Sequence, residues 1–169
     1  IDFGYSIAVG LRKEKYFLLV QLKDLDFMWA LPTASRDNPV QLLHDFEALT
    51  GITPLSIQCD NEFANNSAVQ AWVKRRNAVI RPTPAYNHTM NGRIEGAVRI
   101  SKDHLRCLVK AANAPFRFWP FALKHFCRTY AWWAGKGGKK PPWLRMPARC
   151  NLYHNRERDL RAWGCLVTG

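Results

Sequence analysis

Apolar residues follow two rhythms along this chain. Near the start they are nearly continuous. Residues 16–22 (YFLLVQL) are apolar at almost every position, the pattern of a strand buried on both faces. Residues 1–9 (IDFGYSIAV) and 27–32 (FMWALP) predict strands before and after it, the first set off by the turn-like GLRKEK. From residue 39 the rhythm lengthens. Residues 39–49 (PVQLLHDFEAL) predict a helix, with Asp37 or Asn38 as cap, Pro39 at its first position and Gly51 as its end.

LSIQC then runs into Asp60, a strand ending on a carboxylate. A second helix fits 66–77 and a short strand fits 78–81, closed by P-T-P. A polar loop, AYNHTMNG, follows, with Asn91-Gly92 as the turn before the next helix. Over 93–112, Ile94, Val98, Leu105, Leu108 and Val109 recur at three- and four-residue steps, the signature of an amphipathic helix. Pro115 interrupts it. Residues 116–133 predict a last helix whose eight aromatic residues read as core packing rather than as a base-stacking platform. Three strands followed by alternating strands and helices imply an α/β fold, a mixed sheet with helices on its faces.

Composition narrows the class. With 169 residues the chain holds one domain with a real core. A hydrophobic content of 47% excludes a disordered chain. No apolar run approaches the roughly 20 residues that span a bilayer, so no membrane partner is expected. No signal peptide is legible, and the opening at Ile1 suggests a piece of something longer. Five cysteines without a C-x-x-C pair fit a reducing, intracellular compartment, nuclear or cytoplasmic. The histidines show no zinc-ligand spacing.

Charge adds a partner. The net charge is +12, and it is unevenly spread: residues 1–60 carry −3 and residues 61–169 carry +15. A polyanion gripped by the later segments is the natural reading, and DNA or RNA leads among polyanions. On the 93–112 helix Glu95, Arg99, Lys102 and Arg106 step by four, three and four, so they share a face. That face sets a carboxylate beside a stripe of phosphate-binding cations. The bland alternative is a solvated face with Glu95–Arg99 as an ordinary helix pair. Lys74, Arg75 and Arg76 read as a solvated helix end or a secondary contact.

Two-metal phosphodiester chemistry needs clustered hard oxygen ligands. Asp2 on a strand, Asp60 at a strand end and Glu95 on a helix are candidates for such a cluster. Spacing does not single them out, because five pairs among the 13 acids lie 34 to 37 positions apart. Their flanking words do. QCDNEF at 58–63 resembles the S-D-N-G-x-E-F segment of integrases, and PAYNHTMNGRIEGAVR at 84–99 resembles their Y-T-P-x-x-N-G-x-x-E-R-x-x-R segment. IDFG at 1–4 is similar to the I-D-x-x-G opening, with Lys15-Tyr16-Phe17 as the K-Y-F strand that follows. APFRFWPFA at 114–122 and DLRAWGC at 159–165 resemble the P-x-x-F-W-x-x-A and L-R-x-F-G-C blocks of the copia branch. The five blocks come in family order across nearly the whole chain.

The chain therefore resembles the catalytic core of a copia-type retrotransposon integrase. That resemblance implies a ribonuclease-H-like fold with a mixed five-stranded sheet and helices on both faces. It implies catalytic core residues 1–135, then a basic linker and the start of a C-terminal region over 136–169. It implies a polynucleotidyl transferase that processes the 3′ ends of element DNA and joins them to target DNA. Asp2, Asp60 and Glu95 would be catalytic and would hold two magnesium or manganese ions. Arg99, Lys102 and Arg106 would contact DNA, with Asn91, Tyr86 and His88 as further contacts, and the protein would act as a homo-oligomer. The alternative is a nucleic-acid-binding domain of the same fold that has lost catalysis. Three departures bear on that alternative: Asn61 is followed directly by Glu62, 34 residues separate Asp60 from Glu95, and Gly96 stands where the family has Arg.

Overall fold

The computed structural model describes residues 1–83, 88–133, 140–146, 150 and 162–163, with backbone alone for 88–91. Strand β1 covers Asp2–Tyr5, β2 Tyr16–Leu22 and β3 Phe27–Thr33. Helix α1 is Pro39–Thr50, β4 Ser56–Cys59, α2 Asn61–Ala64, α3 Ser67–Arg75 and β5 Val79–Pro82. Helix α4 is His88–Ala111 and α5 Trp119–Ala131, with short 3₁₀ turns at Phe116–Phe118 and Pro142–Arg145.

Strand β2 lies between β1 and β3 and pairs antiparallel with both, Leu19 facing Asp2 on one side and Ala30 on the other. Strands β4 and β5 pair in parallel, Ile57 beside Ile80. The described strands thus form a three-stranded sheet and a separate two-stranded one. This corrects the continuous five-stranded sheet expected from the sequence. The two edges that would have to join belong to β1 and β4, each four residues long. Where they meet, the Ile1 nitrogen donates to the Gln58 carbonyl at 2.7 Å. Among the described residues β1 and β4 are not paired as strands. The expected strand over 1–9 is also shortened. After Tyr5 the chain turns instead, with Gly10 N–H bonded to Glu14 O and Lys13 in a left-handed conformation at φ 66°.

The three-stranded sheet is covered on both faces, as the apolar run of β2 requires. Residues paired across antiparallel strands point the same way. Asp2, Gly4, Phe17 and Leu19 therefore share a face. There Phe17 meets Trp119 of α5 at 6.1 Å, and Met28 of β3 receives Ser101 of α4. The Phe17 ring lies directly on Gly4, where a Cβ would come within 2.1 Å of it. On the opposite face Phe3 meets Phe63 of α2 at 6.1 Å. Phe17, Leu18, Leu19, Trp72, Trp119, Leu123 and Phe126 are among the buried residues at the centre. The aromatic-rich 116–133 segment is mainly core, as its periodicity suggests, although Phe121 and Trp133 stay exposed.

Caps explain several boundaries. Asn38, not Asp37, caps α1 by accepting from Gln41 N–H at 3.2 Å, and Gly51 closes it at φ 65°. Asn66 caps α3 by accepting from Ala68 and Val69 N–H. At the end of α3, Arg76 makes a bidentate pair with Glu47 of α1 and lies 4.2 Å over Trp72. It is a helix-to-helix tie, not part of a free basic cluster. Arg93 and Arg145 both clamp the β2–β3 turn: Arg93 bonds Lys23 O and Asp26, and Arg145 bonds Asp24 O and Leu25 O. Asp26, at φ 53°, is thus an ion-paired turn residue. Among the described residues no helix is long and apolar enough to cross a membrane.

Candidate functional site

Asp2 opens β1 on the face that meets α4 and α5. Its Oδ1 accepts from the Phe3 N–H at 2.7 Å. Asp60 follows β4 and caps α2, its Oδ1 accepting from Phe63 N–H at 2.8 Å. The sequence reading missed α2. Its signal was present, since an Asp three residues before an apolar position with an acid in the first turn is a helix start. Glu95 is exposed, about two turns into α4.

Asp2 is pushed above the ordinary carboxylate range, first by burial, with the charges of Asp60 and Glu95 adding to the effect. The Phe3 N–H and the Ile1 ammonium act in the opposite direction. Asp2 and Glu95 line one hollow of about 360 Å³, and Asp60 is not among its lining residues. Among the described residues no three His, Cys, Asp or Glu side chains are close enough to share a metal ion. The donor chemistry nonetheless suits a hard divalent cation, which takes carboxylate oxygens in preference to nitrogen or sulfur. An acid whose charge is disfavoured by burial and by neighbouring carboxylates is also one that a cation would relieve.

The same hollow collects Arg99, Lys102 and Arg106 together with Val98 and Asp103. The shared helix face expected from the four-three-four steps is therefore present. Arg106 pairs with Asp103 at 3.2 Å, and the Lys102 ammonium sits 3.9 Å from the centre of the Tyr5 ring. Glu95 and Arg99 make no ion pair among the described residues, so the bland helix pair does not form. The Tyr5–Lys102 contact had no local signal in the sequence, because 97 positions separate the two residues.

Two expectations about the preceding loop change. Asn91 and Gly92 lie inside α4, which begins at His88, and do not form a turn ahead of it. Tyr86 lies outside the described residues, as do the side chains of His88 and Asn91, so only the backbone of the last two is placed.

No protein-family model matches the chain, and no curated protein matches it in sequence. Its fold does have solved counterparts. The catalytic core domain of BIV integrase superposes with a TM-score of 0.60 at 16% identity, covering 86% of this chain and 91% of that one. At that identity the likeness speaks for architecture: the chain has the mixed α/β, ribonuclease-H-like fold of an integrase catalytic core.

Proposed function

We propose that this chain is the catalytic core of a retrotransposon integrase of the copia type, acting on DNA ends and target DNA as a homo-oligomer. One observation carries the reading: the Asp2 and Glu95 carboxylates share a hollow with Arg99, Lys102 and Arg106. Acids beside a cation stripe fit a phosphodiester held by its non-reacting phosphates and attacked at one phosphorus. The five family-ordered sequence blocks support the same reading, as does the integrase-core fold.

In this proposal Arg99 and Lys102 bind the backbone phosphates on either side of the reacting one, which positions a strand without reading its sequence. Arg106 extends the stripe by one helical turn. Asp2, Asp60 and Glu95 would hold magnesium or manganese. Such an ion, when bound, supplies activation of the attacking hydroxyl and charge neutralisation at the phosphate. Asp2 is held on the sheet and Glu95 on α4, so the two approach the reacting phosphate from different elements. In the joining step a DNA 3′ hydroxyl attacks phosphorus in the target strand, the new phosphodiester forms, and the old 3′ oxygen leaves with a proton.

A second reading has its own observation. Because the three acids are not gathered to metal-sharing distance among the described residues, a DNA-binding domain of this fold without catalysis is the rival. One assay separates them. Joining of a recessed DNA end to target DNA is measured with manganese, for the parent and for Glu95→Gln, with DNA binding followed on the same samples. Transfer by the parent and its loss in Glu95→Gln, at equal DNA affinity, is expected. DNA binding by both proteins with no transfer by the parent selects the rival.

A further inference from the structure

A second, smaller hollow of about 90 Å³ adjoins the first and shares Lys102 and Arg106 with it. Apart from Ser6, its other walls are apolar or aromatic, among them Tyr5, Ile7, Leu105 and Phe116. Tyr5 and Ile7 are 65% and 76% exposed, although both are large and apolar-bodied. One face of the Tyr5 ring carries the Lys102 ammonium at 3.9 Å, and the exposure of Tyr5 leaves the rest of the ring accessible. The sequence reading assigned nothing to Tyr5, Ile7 or Phe116 beyond strand and core.

We propose that this second hollow is a niche for one unpaired nucleobase of a DNA strand whose phosphate is held by Lys102 and Arg106. Two requirements meet in it. The rim is cationic and selects an anion. The wall beside the rim is flat and apolar, and selects a planar, weakly polar group covalently close to that anion. A nucleotide has both parts at that separation. An aromatic ring bearing a cation is a common platform for bases, because stacking and cation–π attraction act on the same face. The niche also lies at the end of β1 away from Asp2, three residues along the strand. A base seated there leaves its strand running past the Asp2–Glu95 hollow. A duplex keeps its bases stacked inside, so the niche acts only on a frayed or single-stranded end. Stacking is sequence-tolerant, so any base is accepted.

This inference rests on the proposed DNA binding, and its test separates the two. Three DNAs are compared by fluorescence anisotropy: a blunt duplex, the same duplex with a short thymidine extension, and one whose extension is abasic. The abasic extension keeps every phosphate and removes the bases. The parent protein binds the thymidine extension roughly tenfold more tightly than the abasic one, the effect of about one stacked base. Tyr5→Ala removes that difference and leaves the affinity for the blunt duplex in place, while Tyr5→Phe retains the difference. Ile7→Ser, at a still more exposed position, reduces the difference and guards against a folding defect in Tyr5→Ala. Equal binding of thymidine and abasic extensions by a parent that binds the blunt duplex overturns the niche alone. So does a preference that survives in both Tyr5→Ala and Ile7→Ser. Failure to bind any of the three DNAs overturns the DNA reading, and the niche with it.

Discussion

Asp2 is the residue whose chemistry the structure changes most. In the sequence it is an acid in IDFG, named by its neighbours. In the fold it is a half-buried carboxylate whose proton is held above the usual range, by burial first and then by Asp60 and Glu95. A carboxyl whose folded-state value lies above its free value binds its proton more tightly when folded. Its contribution is therefore fully present below the free value of 3.8 and is lost as pH rises through the folded value. At neutral pH the ionised Asp2 destabilises the fold. Asp2→Asn keeps an oxygen for the Phe3 N–H and removes the charge, so it should raise the melting temperature at neutral pH. The gain should shrink to nothing under acid conditions, where the parent carboxyl is neutral too. Thermal melts of both proteins across that range decide it, and a gain independent of pH would contradict the assignment. Other residues show what local sequence hides. Arg93 and Arg76 look like members of basic clusters, yet each is engaged by a distant acid, Asp26 and Glu47. Their partners lie 67 and 29 positions away, beyond any local pattern.

Strong periodicity located elements well, and short or polar stretches located them poorly. The continuous apolar run gave β2 at Tyr16–Leu22 to the residue, and the capping signals placed α1 within one residue at its end. Helix α4 begins at His88, five residues before the expected start at 93, because Asn91-Gly92 reads as a turn and is helical here. Turn propensity in a dipeptide amounts to about 1 kcal/mol per glycine, which a long helix packed on a sheet readily overrides. Gly96 sits in the same helix and touches nothing that a Cβ would meet within 4 Å. It therefore weakens α4 without serving a close approach there, unlike Gly4 beneath Phe17. Gly96→Ala should stabilise the protein by about 1 kcal/mol, seen as a rise of roughly 2–4 °C in melting temperature. No rise, or a fall, would mean that the backbone at Gly96 needs a freedom the helix conceals.

For the molecule as a whole, α/β class and helices on both faces were legible from the order of periodic segments. The division of the strands was not. Pairing between β1 and β4 depends on how two four-residue edges meet, which no hydrophobic pattern encodes. The division also distributes the candidate acids. Asp2 and Glu95 belong to the three-stranded sheet and the helix packed on it, whereas Asp60 belongs to the corner between β4 and α2. If magnesium or manganese engages all three, hydrogen exchange should slow both in β1 and at the β4–α2 corner. Asp60→Asn should confine the slowing to the first of these. Protection limited to α4 in the parent would argue that the corner acid takes no part.

The bond from the Ile1 nitrogen to the Gln58 carbonyl crosses the line where the two sheets meet. Phe3 and Phe63 pack across the same seam at 6.1 Å, and Asp2 and Asp60 stand on opposite sides of it. A cation there would work as a rivet, so affinity for the ion and stiffness of the seam would be one quantity measured in two ways.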